Sequence, residues 1–151
     1  MKVLLAIDGS TYSEAAVRGV ISRPWPLHTA VRVISVAHAI PLIMDPLLVV
    51  AAAHVESLKE EQKRAIRDVG KAADDIAKGA PALQVSTQVL EGSPKKMIVE
   101  EAEHWQADLV VVASHGHGPT ERFLLGSTAH EVAVHSPCSV EIVRSRRRVG
   151  A

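Results

Sequence analysis

Val3-Leu4-Leu5-Ala6-Ile7-Asp8-Gly9-Ser10 and Leu109-Val110-Val111-Val112-Ala113-Ser114-His115-Gly116 decide how this chain is read. Each begins with a wholly apolar run. Such a run is a strand buried on both faces, as in the middle of a parallel sheet. Each then breaks into glycine and small polar residues, where a strand must stop and a turn begin.

Between these two runs the pattern alternates. Thr11-x-x-Glu14 has the form of a capping box and predicts a first helix ending near Arg23-Pro24. Val31–Val36 reads as a second strand. The loop containing Pro41 and Pro46 has no assigned conformation. Val55, Leu58, Gln62, Ala65, Val69, Ala72 and Ile76 then recur three and four apart, which is one amphipathic helix stopped by Gly79-Ala80-Pro81. A helix laid on a sheet explains this stripe; a coiled coil would need a longer apolar seam. Leu83, Val85, Thr87 and Val89 alternate with polar residues, as in a half-exposed edge strand. Ser93-Pro94 starts the third helix, with serine at the N-cap and proline at the first helical position. After the second apolar run, Thr128-x-x-Glu131 predicts another capping box and Ser136-Pro137 ends that helix. Cys138–Val143 is the last strand. Strand–helix alternation of this kind predicts an α/β fold: one parallel sheet with helices on both faces.

Composition narrows the function. The chain has 151 residues, enough for one well-buried core. Lys plus Arg and Asp plus Glu are 17 each, so nothing draws the chain to nucleic acid or to an anionic membrane. Aromatic residues are 3% of the chain, too few for a base-stacking platform. The local basic run is Arg144-Ser145-Arg146-Arg147-Arg148, read as a solvated, disordered tail over residues 145–151. No apolar run has membrane-spanning length and no signal-peptide core follows Met1, so the expected compartment is the cytoplasm. A single cysteine, Cys138, excludes an intrachain disulfide and reads as a small core residue. Trp105 reads as the anchor of the third helix, and Trp25 as a loop cover.

In open parallel sheets, ligands sit beyond the carboxyl ends of the strands, where the winding reverses. The two segments quoted first lie at such ends. Glycine lets backbone N–H groups approach an anion, and a helix start adds unpaired donors. Gly126-Ser127-Thr128 stands at such a start. Asp8 suits a ribose hydroxyl or an amine better than a phosphate. Several alternatives fail. No nucleophile elbow or Walker lysine exists. His130 and His135 are five apart and do not share a helix face as zinc ligands must. His115 and His117 read as loop histidines bonding backbone or phosphate, and no metal site is expected.

Ser114-His115-Gly116, nine further residues through Leu125, then Gly126-Ser127 resembles the nucleotide loop of the universal stress proteins, G-x-x-G-x9-G-[S/T]. Val3–Ser10 and Ser136–Val143 are similar to that family's two ends, so the resemblance covers about residues 1–144, read as one domain. It implies a Rossmann-like domain with a five-stranded parallel sheet in the order 3-2-1-4-5. It implies ATP, with Mg²⁺, as the cofactor. Asp8 would meet the nucleoside, and the main chain at Ala6 and Val36 would border the adenine. Val112, Ala113, Ser114, His115 and Gly116, with Gly126, Ser127 and Thr128, would take the ribose and phosphates. Family members commonly pair through the last strand, which makes Val140, Glu141, Ile142 and Val143 the expected homodimer interface. Two departures stand out: Ala113 replaces the motif's first glycine, and Gly118 is additional. No placed base, arginine finger or carboxylate pair is evident, so a binding module rather than an enzyme is expected. The other readings are a slow ATPase or phosphotransfer enzyme and a nucleotide-free dimeric scaffold.

Overall fold

The computed structural model describes residues 1–40, 49–117 and 124–145. The loop with Pro41 and Pro46, the additional Gly118 and the tail from Arg146 lie outside them. The elements run β1 (Lys2–Ala6), α1 (Thr11–Ser22), β2 (Ala30–Ala37), α2 (Val49–Gly79), β3 (Gln84–Glu91), α3 (Pro94–His104), β4 (Leu109–Ala113), α4 (Ser127–His135) and β5 (Ser139–Val143). All strand pairs are parallel, in the order β3-β2-β1-β4-β5. Both the fold and the strand order expected above are therefore present.

The apolar runs are central because both of their faces are covered. On one side Val3, Leu5, Val31, Val33, Leu109 and Val111 meet Ala16, Val17 and Val20 of α1 and Val69, Ala72 and Ile76 of α2. On the other, Leu4, Ala6, Ile34, Val110 and Val112 meet Ile98 and Ala102 of α3 and Ala129 and Val132 of α4. Period-two alternation along each strand feeds the two layers. The predicted stripe of α2 is realised: Leu58, Ala65, Val69, Ala72 and Ile76 are buried. Burying the Leu, Val and Ile side chains of this stripe contributes roughly 1.5–3 kcal/mol each, and the alanines less, before entropy is set against it.

Both predicted capping boxes are corrected. The N-cap of α1 is Ser10, not Thr11, and its Oγ accepts from Ser13 N–H at 3.2 Å. Gly9, at φ +76°, turns the chain one residue earlier than the box assumed. Glu14 instead faces Arg18 at 3.9 Å, one turn on. In α4 the N-cap is Gly126 and no side chain caps the helix, so Thr128 lies inside it. Ser93 does stand at the N-cap of α3 with Pro94 following, although its side chain makes no cap bond.

The two tryptophans are anchors of different kinds. Trp105 follows α3 and packs on the second cluster, with the Arg32 guanidinium 4.4 Å from its ring. Arg32 in turn pairs at 2.6 Å with the buried Glu101. Trp25 packs on the first cluster, and its Nε1–H donates to the Val20 carbonyl at 2.8 Å, satisfying an orphan carbonyl near the end of α1. Cys138 is half-buried and packs against the second cluster.

Candidate functional site

The reversal of winding falls between β1 and β4, which pair directly through Val3↔Leu109, Leu4↔Val110, Leu5↔Val111 and Ala6↔Val112. Beyond their carboxyl ends lies a crevice of about 200 Å³. Register builds its floor. Ala6 stands between Ile34 on β2 and Val112 on β4, all on the α3/α4 face. The small central side chain leaves an apolar hollow flanked by two branched ones.

The structure brings together every residue the sequence proposed for nucleotide: Ala6, Asp8, Val36, Val112, Ala113, Ser114, His115, Gly116, Gly126, Ser127 and Thr128 all line this one crevice. Ile7, Ser13, Ile34, Pro94, Ile98, His117 and Ala129 line it too. Nothing in the sequence marked Pro94 or Ile98 as site residues, because only the docking of α3 against β2 brings that face to the crevice.

Asp8 is the hub of the polar side. Its Oδ1 accepts from Ser13 Oγ at 2.6 Å and from Ser10 N–H at 3.0 Å, and its own N–H donates to Ser13 Oγ at 2.9 Å. Its Oδ2 accepts from His117 N–H at 3.1 Å, and His117 Nε2 lies 2.7 Å from the Asp8 carbonyl. Burial alone would raise the Asp8 pKa. The hydrogen bonds from Ser10 and Ser13 and the field of His117 outweigh it, so the carboxyl sits below its ordinary 3.8.

The opposite wall is the neck of the 114–126 loop. Gly126 N–H donates to the Ser114 carbonyl at 2.8 Å, and His115 bridges from Ser114 Oγ, at 3.0 Å from its Nδ1, to the Leu124 carbonyl at its Nε2. Tyr12 lies against the His115 ring, centroids 5.3 Å apart. Both glycines are needed for closeness. A Cβ on Gly116 would collide with Asp8 Oδ2, and one on Gly126 would come within 3.0 Å of the Ser114 carbonyl. Behind Gly126, the first turn of α4 presents uncapped N–H groups with the Ser127 and Thr128 hydroxyls. That is a donor set suited to an anion.

Ala113 has no positive φ, and its methyl packs toward the α1/α2 cluster, away from the face that carries the floor. Among the described residues no three His, Cys, Asp or Glu side chains gather as a metal site. No helix of the described residues is long and apolar enough to cross a membrane. At the far edge of the sheet, Glu141 of β5 forms a two-pronged ion pair with Arg23 of the same chain.

Known proteins agree with this architecture. A universal stress protein of Methanocaldococcus jannaschii is 32% identical over 147 residues, 97% of this chain and 84% of that one. The universal stress protein UspA from Lactobacillus plantarum superposes with a TM-score of 0.69 at 25% identity, covering 95% of this chain and 97% of that one. A family member from Arabidopsis thaliana with AMP bound has a TM-score of 0.65 at 16% identity, covering 97% of this chain and 93% of that one. The model of the Universal stress protein family matches residues 1–144, and the chain belongs to that family.

Proposed function

We propose that this protein is a cytoplasmic, homodimeric stress-response module that binds an adenine nucleotide, ATP with Mg²⁺, without running a dedicated reaction. The observation that carries the reading is convergence. An apolar slot, a hydrogen-bonding carboxylate and an uncapped helix start meet in one crevice, though they come from four separate segments of the chain. Each matches one part of a nucleotide. Adenine fits the hollow over Ala6 beside Val36, the ribose hydroxyls suit Asp8, and phosphates suit the N–H groups and hydroxyls of Gly126, Ser127 and Thr128. The two close-packed glycines leave the kind of backbone cradle that a phosphate needs. Mg²⁺ would rest chiefly on the phosphates, since it keeps several waters and needs few protein ligands. The AMP carried by the Arabidopsis thaliana relative is of the same ligand class.

The reading of a binder rather than a catalyst rests on charge. Asp8 is the one carboxylate among the described residues lining the crevice, and Ser10, Ser13 and His117 fix its orientation while its Oδ2 keeps room for a further donor. Phosphoryl transfer needs positioned charge and an oriented nucleophile. Isothermal titration with Mg-ATP, run beside a phosphate-release assay, tests the whole reading. Saturable micromolar binding with no turnover is expected. Absence of binding at millimolar nucleotide overturns it, and steady phosphate release would make the chain an enzyme.

A further inference from the structure

We infer that Ser13 is a positioning residue for ribose recognition: its hydroxyl clips the Asp8 carboxylate in one rotamer and so presents Oδ2 to a ribose hydroxyl. This rests on the nucleotide reading above. The Asp8 N–H donates to Ser13 Oγ at 2.9 Å, and the same hydroxyl donates on to Asp8 Oδ1 at 2.6 Å. A hydroxyl can accept and donate at once, so one side chain closes a ring between the main chain and the carboxylate of a single residue. That ring fixes the side-chain torsions of Asp8. Ser10 N–H adds a second bond to Oδ1 at 3.0 Å. Ser13 is itself set in place, because its N–H donates to Ser10 Oγ at 3.2 Å. Ser10 and Ser13 are only 6% and 4% exposed. The clip therefore belongs to the core, although the carboxylate it holds lines the crevice.

With Oδ1 turned into its own turn, Oδ2 is the oxygen on the crevice side. It lies beside Gly116, where a Cβ would collide with it, and accepts from His117 N–H at 3.1 Å. One backbone donor leaves a carboxylate oxygen room for another, here a ligand hydroxyl. Burial opposes ionisation of Asp8, but the bonds from Ser10 and Ser13 outweigh it, so the carboxyl sits below its ordinary 3.8 and remains an acceptor at neutral pH. A carboxylate free to rotate loses that freedom when it binds a hydroxyl, whereas one already clipped does not. Without the Ser13 hydroxyl, Oδ1 keeps the single bond from Ser10 and the Asp8 N–H loses its acceptor. Ser13 thus acts on the ligand through Asp8, and its influence is confined to the sugar hydroxyls.

The test titrates the full chain with AMP and with dideoxy-AMP, which lacks both ribose hydroxyls. In the natural chain AMP is expected to bind at least about ten-fold more tightly, the worth of a hydrogen bond to a charged group. Ser13→Ala is expected to weaken AMP about three- to ten-fold, the cost of immobilising one side chain, and to leave dideoxy-AMP within about two-fold. The preference for AMP then shrinks by that same three- to ten-fold. Loss of fold stability alone would weaken both ligands equally and leave the preference intact. If Ser13→Ala does not fold, Ser13→Cys is read instead, since it keeps the volume and only a weak donor. A folded variant with the natural preference overturns the role of Ser13 and leaves the nucleotide reading standing. So does a natural chain that binds both ligands equally. A natural chain that binds neither overturns both.

Discussion

Gly126 donates its backbone N–H to the Ser114 carbonyl at 2.8 Å, so the two ends of the 114–126 segment meet at the lip of the crevice. This bond places the first turn of α4 opposite Asp8. It also explains why a glycine stands there, since a side chain would press on the carbonyl it bonds.

Gly126→Val should separate the loop neck from α4. Nucleotide affinity is expected to fall at least about ten-fold, near 1.4 kcal/mol, because the donors of Ser127 and Thr128 lose their alignment. Titration calorimetry beside far-UV circular dichroism reads this. Unchanged affinity in a folded variant would show that the helix start does not contact the ligand.

Ala113→Gly should leave affinity within ten-fold of the natural chain. Ala113 lies in β4, opposite Val143, without positive φ, so its methyl strains nothing. Glycine there instead lowers stability by roughly 0.5–1 kcal/mol. For a chain of this size that is about 2–4 °C in melting temperature per kcal/mol. Binding that appears only in the glycine variant would mark Ala113 as the residue that disables the site.

Asp8 makes stability depend on acid. Its folded pKa lies below 3.8, so the unfolded chain takes up the proton first as pH falls. The stabilisation is complete above the unfolded value and is lost as pH descends through the folded one. Melting temperature between pH 6 and pH 2.5 should therefore drop more steeply for the natural chain than for Asp8→Asn. Parallel curves would mean that the hydrogen bonds from Ser10 and Ser13 do not favour the ionised form. The same variant should weaken nucleotide binding.

The edge of β5 should hold the dimer. Edge strands leave backbone groups unpaired, and Val140 and Ile142 add half-buried apolar surface. Sedimentation at micromolar concentration is expected to give a dimer, and folded Ile142→Asp a monomer. Glu141 is spoken for by Arg23 within its own chain. Glu141→Gln should therefore cost at most about 1 kcal/mol of fold stability and leave association intact. A monomeric natural chain would remove the interface.

Local pattern alone settled much of this molecule. Val3–Ile7 and Leu109–Val112 are apolar at every position, which only a doubly covered strand tolerates, and the stripe from Leu58 to Ile76 needs a sheet to lie on. The start of α3 was legible at Ser93-Pro94 and those of α1 and α4 to within one or two residues, whereas α2 starts at Val49, well before the stripe that marked it. The precise caps were not legible, because the turn at Gly9 and the bond from Gly126 to Ser114 decide them, and neither is visible in residue type. The glycine and serine spacing from Ser114 to Ser127 marked the site, since backbone approach to an anion is written in residue size. What only tertiary structure decided is which groups face one another across the chain. Ile34 beside Ala6, Ile98 beneath the crevice, Tyr12 on His115 and His117 on Asp8 all depend on strand register and helix docking. Contacts between residues a hundred positions apart leave no periodicity in the sequence, and they exist only once β1 and β4 lie side by side.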